Sequence, residues 1–226
     1  VTMDWPAFSL TLQLAVWTVA LLLPCAVLIA RLLAWGRIPM KGAIEALVML
    51  PLVLPPTVLG FYLLVAFSPQ SEFGRVLGAI FGRAPVFSFT GILLASLIVN
   101  LPFAVQPIQR AFEAIPRNVR EAAFVSGLSG WQTMRRIELP LAWPGIISAI
   151  ALTFAHTLGE FGVILMIGGS IPGETRVLSI AIYDRVQAFD IAGASVMSAV
   201  LLGFSLFAIA IVHTLARRKG TASHGI

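Results

Sequence analysis

Two side chains able to do chemistry lie where charge is costly. His156 and Glu160 stand four apart in His156-Thr157-Leu158-Gly159-Glu160, so a helix places them on one face. A carboxylate inside an apolar segment marks a functional site by default. As a metal site the pair falls short: it offers two donors and no third in view, where zinc takes three or four protein ligands. No metal is expected here. A helix-packing or gating pair suits these residues better, with solvation at a membrane interface as the plain alternative. Counted from Leu141, Glu160 lies roughly 29 Å along a helix rising about 1.5 Å per residue, near one mouth of its segment. The other polar groups in apolar surroundings are Thr57, Ser96, Asn100, Thr153 and Thr157. They line a polar route, or they bond carbonyls of their own or a neighbouring helix. Pro55 and Pro56 lack N–H groups and disturb the helix before them. A bend there lines a pathway or is an ordinary kink in a bundle. No Lys or Arg lies deep in any apolar segment, so a fixed high-affinity anion site in mid-membrane is not expected, although hydroxyl and helix N-terminus contacts remain open.

One arrangement suggests hydrolysis. Gly127-Leu128-Ser129-Gly130 spells G-x-S-G, the nucleophile pattern of rhomboid intramembrane proteases, and a histidine follows in an apolar segment. Nucleophile and base must meet within hydrogen-bond reach. Ser129 is flanked by Arg120, Arg135 and Arg136, while His156 lies roughly 22 Å along its helix from Leu141. A helix cap is the better reading of Ser129. No G-x-x-x-x-G-K-[ST] is present, so the chain is not expected to hydrolyse nucleotide by a P-loop of its own, or to be an enzyme.

The elements that position these residues are membrane helices. Of 226 residues, 58% are hydrophobic and 11% charged, against about 25% charged in soluble domains. The expected fold is an all-α integral membrane protein, a single domain over 1–226. Five segments reach the roughly 20 apolar residues a span needs: about 8–33, 43–67, 87–105, 141–167 and 191–215. Cys25, the single cysteine, excludes an internal disulfide and reads as a buried small hydrophobe. No basic n-region precedes the first apolar run, so it is not read as a secretory signal, and with a short tail after Lys219 no fused regulatory domain is expected. Basic surplus sits beside apolar segments and speaks for membrane orientation, not nucleic acid. Arg31, Arg37, Lys41, Arg110, Arg117, Arg120, Arg135, Arg136, Arg217, Arg218 and Lys219 fall on one side; Arg75, Arg83, Arg176 and Arg185 fall on the other. The positive-inside rule makes the first side cytoplasmic, with the N-terminus outside and the C-terminus inside. The external segments 68–86 and 168–190 are each expected to carry a short helix, the second after a Pro172-Gly173 turn.

Between spans three and four lies a charged island, Asn118 to Pro140, expected to be a cytoplasmic hairpin of two short helices. Asn118 and Glu121 have capping-box spacing, and so do Ser129 and Gln132. Gly127 suits the left-handed turn that ends the first helix, and Pro140 is expected to end the second, with Leu139 extended.

Glu121-Ala122-Ala123, three residues, Gly127, nine residues, Ile137, one residue, Leu139-Pro140 resembles the EAA motif of ATP-binding-cassette import permeases at every one of those positions. The resemblance implies that this hairpin is the coupling element docking into a groove of a cytoplasmic ATPase, with Glu121 both capping and docking. Pro51 to Leu64, Leu158 to Gly162 and Ile171 to Gln187 further resemble the molybdate branch of these permeases, with sulfate, thiosulfate and tungstate permeases similar. It implies a subunit in a bacterial or archaeal cytoplasmic membrane, moving an oxyanion inward between two copies of itself. Sulfate systems pair two different permeases instead. It also implies an ATPase dimer that binds ATP and Mg, this chain holding no cofactor, and a periplasmic or lipid-anchored binding protein that delivers the ion. An ATP-independent channel or carrier is the remaining alternative.

Overall fold

The computed structural model describes residues 3–36 and 38–220. Arg37, the tail after Gly220, and the side chains of Arg217, Arg218 and Lys219 lie outside the described residues, and with them part of the inner charge count. Helices make up the fold, with no strand among the described residues. Helix α1 (Trp5–Trp35) opens with Asp4 accepting from the Ala7 N–H at 3.0 Å and stops at Gly36 in extended geometry. Its buried positions, Ala7, Leu10, Thr11, Leu14, Thr18, Leu22, Ala26, Ala30 and Leu33, recur every three or four residues as one stripe. The other faces carry exposed Val16, Trp17, Leu21, Leu28 and Leu32, and Cys25 lies exposed among them and not buried as its apolar run suggested. A helix apolar all round belongs in lipid, and its small buried residues let neighbours approach closely.

The second apolar segment is broken. Helix α2 (Lys41–Val53) and α3 (Pro56–Phe67) meet at 110°. Leu54 and Pro55 each precede a proline and are pushed out of helical geometry, with ψ of 138° and 136°; Pro56 then starts α3, where a missing N–H does no harm. Helix α4 (Glu72–Phe81), capped by Ser71, fills the first external segment. Helices α5 (Phe89–Val99) and α6 (Leu101–Glu113) together make one 25-residue span, interrupted for one residue at Asn100, that runs well past the expected end at 105.

After α7 (Arg117–Val125) comes a rod in three parts: α8 (Gly130–Thr133), a π-helical turn (Met134–Glu138) and α9 (Leu139–Gly159). The fourth apolar segment does not continue to 167. It ends at Gly159, and α10 (Gly162–Gly168) follows as a separate short helix against α3 and α5. The second external segment carries α11 (Leu178–Gln187), and α12 (Ile191–Gly220) completes the chain. Among the described residues, four helices are long and apolar enough to cross a membrane, and the bent pair α2–α3 makes a fifth span if taken as one.

Helices α1, α6 and α9 form the main core around Leu22, Ala26, Ala104, Ile108, Phe112, Ala142 and Ile146. A second cluster joins α3, α5 and α10 through Leu59, Phe67, Ala95, Val99, Val163 and Ile167. At the base of α12, Asp190 accepts from the Gly193 N–H at 2.9 Å and from Arg185 at 2.7 Å, and these two donors hold its carboxyl below the usual aspartate range.

Candidate functional site

The hairpin forms, with different ends from those expected. Pro116 is the residue that leads into α7, with no side-chain cap. Asn118 therefore sits inside the helix, its Oδ1 accepting only from the adjacent Val119 N–H at 3.0 Å, and Glu121 closes no capping box. Pro116 supplies an extended ψ of 141° directly before the first turn, so the start falls earlier than the asparagine. The other end follows the sequence. Gly127 has φ +79°, its N–H reaches the Phe124 carbonyl at 3.0 Å, and the Leu128 N–H reaches Ala123 at 3.1 Å. These are the paired bonds of a Schellman turn. Ser129 and Gln132 form the reciprocal capping box, at 3.3 and 2.9 Å. Ser129→Ala should cost about 1 kcal/mol of local helix stability and leave transport intact. Uptake measured beside thermal unfolding checks this, and a lost proteolytic activity would contradict the capping role.

Pro140 does not end the second helix, and Leu139 is helical. In an unbroken α-helix the Pro140 ring would strike the carbonyl of Arg136. The π turn just before it widens the coil, with the Leu139 N–H bonding Met134 five residues back, so the rod runs on through the proline. Ser129 and His156 thus lie on one rod, roughly 40 Å apart along it at about 1.5 Å per residue. They cannot meet as nucleophile and base.

The π turn also directs Glu138 inward. Its side chain is 0% exposed, between Arg31 of α1 (Nε at 2.6 Å, Nη2 at 3.4 Å) and Arg120 of α7 (Nε at 3.0 Å). The Arg120 guanidinium stacks on Trp35 at 3.7 Å, and Trp35 packs on Phe112 at 5.1 Å. Removing one partner from such a buried group costs about 3–5 kcal/mol. Sequence reading placed both arginines among the inner charges and passed over Glu138, whose neighbours Arg135 and Arg136 are exposed. The signal available was a lone acid inside a basic stretch.

Of the motif positions, Glu121, Ala122, Gly127 and Pro140 are exposed, Ile137 and Leu139 half-buried, and Ala123 buried. Phe124, Val125 (89% exposed) and Trp131 add exposed apolar surface. Glu121 has no bonded partner among the described residues. It lines a cleft of about 520 Å³ with Trp35, Glu113, Arg117 and Arg120.

The polar groups of the spans separate into two sets. Pro55, Pro56 and Thr57 are exposed at the α2–α3 elbow. The rest are buried within the chain. Thr18 and Ser96 share a hydrogen bond at 2.8 Å, and Asn100 Nδ2 donates to the Ser96 carbonyl at 2.9 Å. Asn100 Oδ1 faces His156 Nδ1 at 3.2 Å, and the His156 ring stacks on Phe103 with centroids 4.1 Å apart. His156 Nε2 lies 3.8 Å from Glu160 Oε2, too far for a hydrogen bond. Glu160 stands just beyond the helix, 7% exposed, so it is packed rather than solvated. Its Oε1 accepts from the Val163 N–H at 3.1 Å at the start of α10, and its carbonyl accepts from Ser179 at 2.8 Å. Glu160 therefore locks α10 and α11 to the end of α9. Thr157 bonds the Thr153 carbonyl of its own helix, and Thr153 Oγ1 has no hydrogen-bond partner. Arg176 pairs with Asp4 at 2.7 Å and Arg83 with Glu174 at 2.8 Å, pinning the 171–176 turn. No group of three or more metal-ligating side chains occurs among the described residues.

Residues 22–221 match the family described as binding-protein-dependent transport system inner membrane component. The molybdenum transport system permease protein ModB of Azotobacter vinelandii is 45% identical over 221 residues, 97% of each chain. The sulfate transport system permease protein CysT of Escherichia coli (strain K12) is 34% identical, over 85% of this chain and 69% of its own. A crystallised bacterial alginate ABC transporter, in complex with a periplasmic protein bound to alginate pentasaccharide, contains a chain of the same fold: TM-score 0.76, 20% identity, covering 96% of this chain and 80% of that one.

Proposed function

This chain belongs to the family of binding-protein-dependent transport system inner membrane components, and from that premise we propose that it is the permease through which an ATP-driven importer moves molybdate inward. The observation that carries the mechanism is the placement of α7: an exposed helix whose carboxylate Glu121 bonds no partner among the described residues, on the end of a rod that continues into the membrane. In this reading α7 and the Gly127 turn sit in a groove of a cytoplasmic ATPase dimer, which binds the ATP and Mg. Glu121, Ala122 and Ala123 form the docked element; Gly127 sets the turn, and Ile137, Leu139 and Pro140 lead the rod into the bundle. Docking a short helix in a groove and displacing it as the partner closes is a recognised route for moving packed helices. Driving a gate from 1:99 to 99:1 takes about 5.5 kcal/mol of differential binding, which ATP-driven closure supplies.

A second copy of the chain completes the pathway, and a binding protein delivers the ion from outside. The eleven cationic residues assigned to one side put the hairpin and the C-terminus in the cytoplasm. The exposed elbow, Pro55, Pro56 and Thr57, faces the pathway; Ser96, Asn100, Thr153, Thr157 and Glu160 set the helices behind it. Molybdate is favoured as cargo because the similarity to the Azotobacter vinelandii molybdenum permease runs the length of both chains. The similarity to a sulfate permease keeps sulfate as the second reading.

The test is co-purification of the tagged chain with its genomic neighbours, followed by ATPase assay with molybdate- or sulfate-loaded binding protein. Stimulation of a stable complex by the molybdate-loaded protein is the expected result. Stimulation by sulfate alone keeps the mechanism and changes the cargo. A chain that recruits no ATPase contradicts the proposal and favours a channel.

A further inference from the structure

Helix α7 hangs between two turns that leave it free to tilt. Pro116 precedes it in extended geometry, and Gly127 follows it in the left-handed region. The helix itself buries one residue, Ala123. Val119, half-buried against the main core, is its other apolar hold, so a push on such a helix is partly lost as tilting unless a polar side chain also ties it to the bundle. Arg120 is that tie: its Nε reaches Glu138 at 3.0 Å while its guanidinium lies flat on Trp35 at 3.7 Å. The planar fork of arginine serves both contacts at once, which a lysine ammonium cannot. Glu138 hands the tie on to Arg31, four residues before Trp35 on α1.

We propose that Glu138 is a coupling joint, a positioning residue that makes α7, the start of the rod and the inner end of α1 move as one body. The inference rests on the reading of the chain as an ATP-driven permease. Without the joint, displacement of α7 reaches the bundle through its two flanking turns and the apolar packing of Val119 and Ala123, with no polar tie to α1 or the rod. With it, the same displacement is delivered to two spans, α1 and α9, that pack against each other in the main core. The π turn has a use in this scheme. An extra residue in one turn offsets the side chains on either side by about 100°, which lets Glu138 face inward while Arg135 and Arg136 stay exposed.

The experiment uses the complete transporter in proteoliposomes, with permease, ATPase and loaded binding protein, and reads molybdate moved per ATP hydrolysed. Glu138→Ala and Arg120→Gln are expected to assemble and to hydrolyse ATP, with the transport ratio down at least tenfold. Glu138→Asp, which keeps the charge, is expected to recover part of that loss, and Arg120→Lys less. A ratio equal to wild type in Glu138→Ala or Arg120→Gln overturns the joint. Should Glu138→Ala fail to assemble, Arg120→Gln decides alone, because Arg31 still partners the buried carboxylate. The two readings fail differently: a wild-type chain that transports without an ATPase defeats the proposed function, whereas wild type and variants that couple equally well defeat only this inference.

Discussion

Glu121→Lys is expected to abolish molybdate uptake while the chain remains in the membrane at wild-type abundance. Glu121 is exposed and bonds nothing within the described residues, so the fold does not depend on it. Glutamate and lysine have similar helix propensities, and exposed substitutions of this kind stay within about 0.5 kcal/mol in stability. The structure also removes a complication. Since α7 begins after Pro116 and Glu121 caps nothing, the variant spares the helix start and reports on docking alone. A partner groove built for a carboxylate meets a reversed charge at a penalty of several kcal/mol, and the substitution turns a cleft balanced between Glu113, Glu121, Arg117 and Arg120 into a cationic one. Even about 3 kcal/mol is over a hundredfold in affinity. Uptake of labelled molybdate, normalised to membrane abundance by immunoblot, is the measurement. Normal uptake by this variant would contradict the docking role.

Gly145→Val attacks the frame behind the hairpin. Helices α6 and α9 are the two legs that carry α7 and α8, and they pack closely at Gly145. A side chain there would lie 2.6 Å from the Pro107 carbonyl oxygen and closer still to Ala111 Cβ. Neither neighbour can swing away, since one is backbone and the other a single methyl. The legs must separate, opening the core that holds Ile108, Phe112, Ala142 and Ile146. Overpacking of this kind costs about 3 kcal/mol at the upper end of its usual range. The expected outcome is a chain that inserts but loses most of its thermal stability in detergent and no longer holds its ATPase. Wild-type melting behaviour would mean that the two legs are less tightly packed than the geometry requires.

The spans were legible because lipid demands long apolar runs, and composition alone carries that signal. What composition hides is where a run bends or stops. Pro55-Pro56 announced a bend, and the two consecutive pre-proline residues, Leu54 and Pro55, turn it into a right-angled elbow. Pro140 misled in the opposite direction, since a widened turn absorbs the clash that normally ends a helix. The apolar run 141–167 concealed a break at Glu160, because α10 is as hydrophobic as the helix before it. Asn118 has the chemistry of a cap, yet Pro116 fixed the start first. In the stretch that resembles the EAA motif, the Gly127 turn and the Ser129–Gln132 cap formed as their residue types ask. Glu138 was not, because the one position in the Ile-x-Leu-Pro segment that carries no motif residue became the most buried charge of the hairpin only through a shift in helical register.

The elbow between α2 and α3 has a consequence for hydration. Pro55 and Pro56 carry no N–H, so the carbonyls of Pro51 and Leu52 have no donor four residues on; the last bond of this kind runs from the Leu54 N–H to Leu50 at 3.1 Å. Lipid cannot satisfy them, and exposed irregular backbone at membrane depth is tolerated where it is covered by protein or lines a wet cavity. The two free carbonyls draw water, while the exposed Thr57 hydroxyl and the uncapped start of α3 stand just across the bend as donors. If the elbow lines the pathway, as proposed, an oxyanion passing it would meet water held by bare carbonyls beside a few donors, which makes the bend a hydrated step in the wall and not a dry barrier.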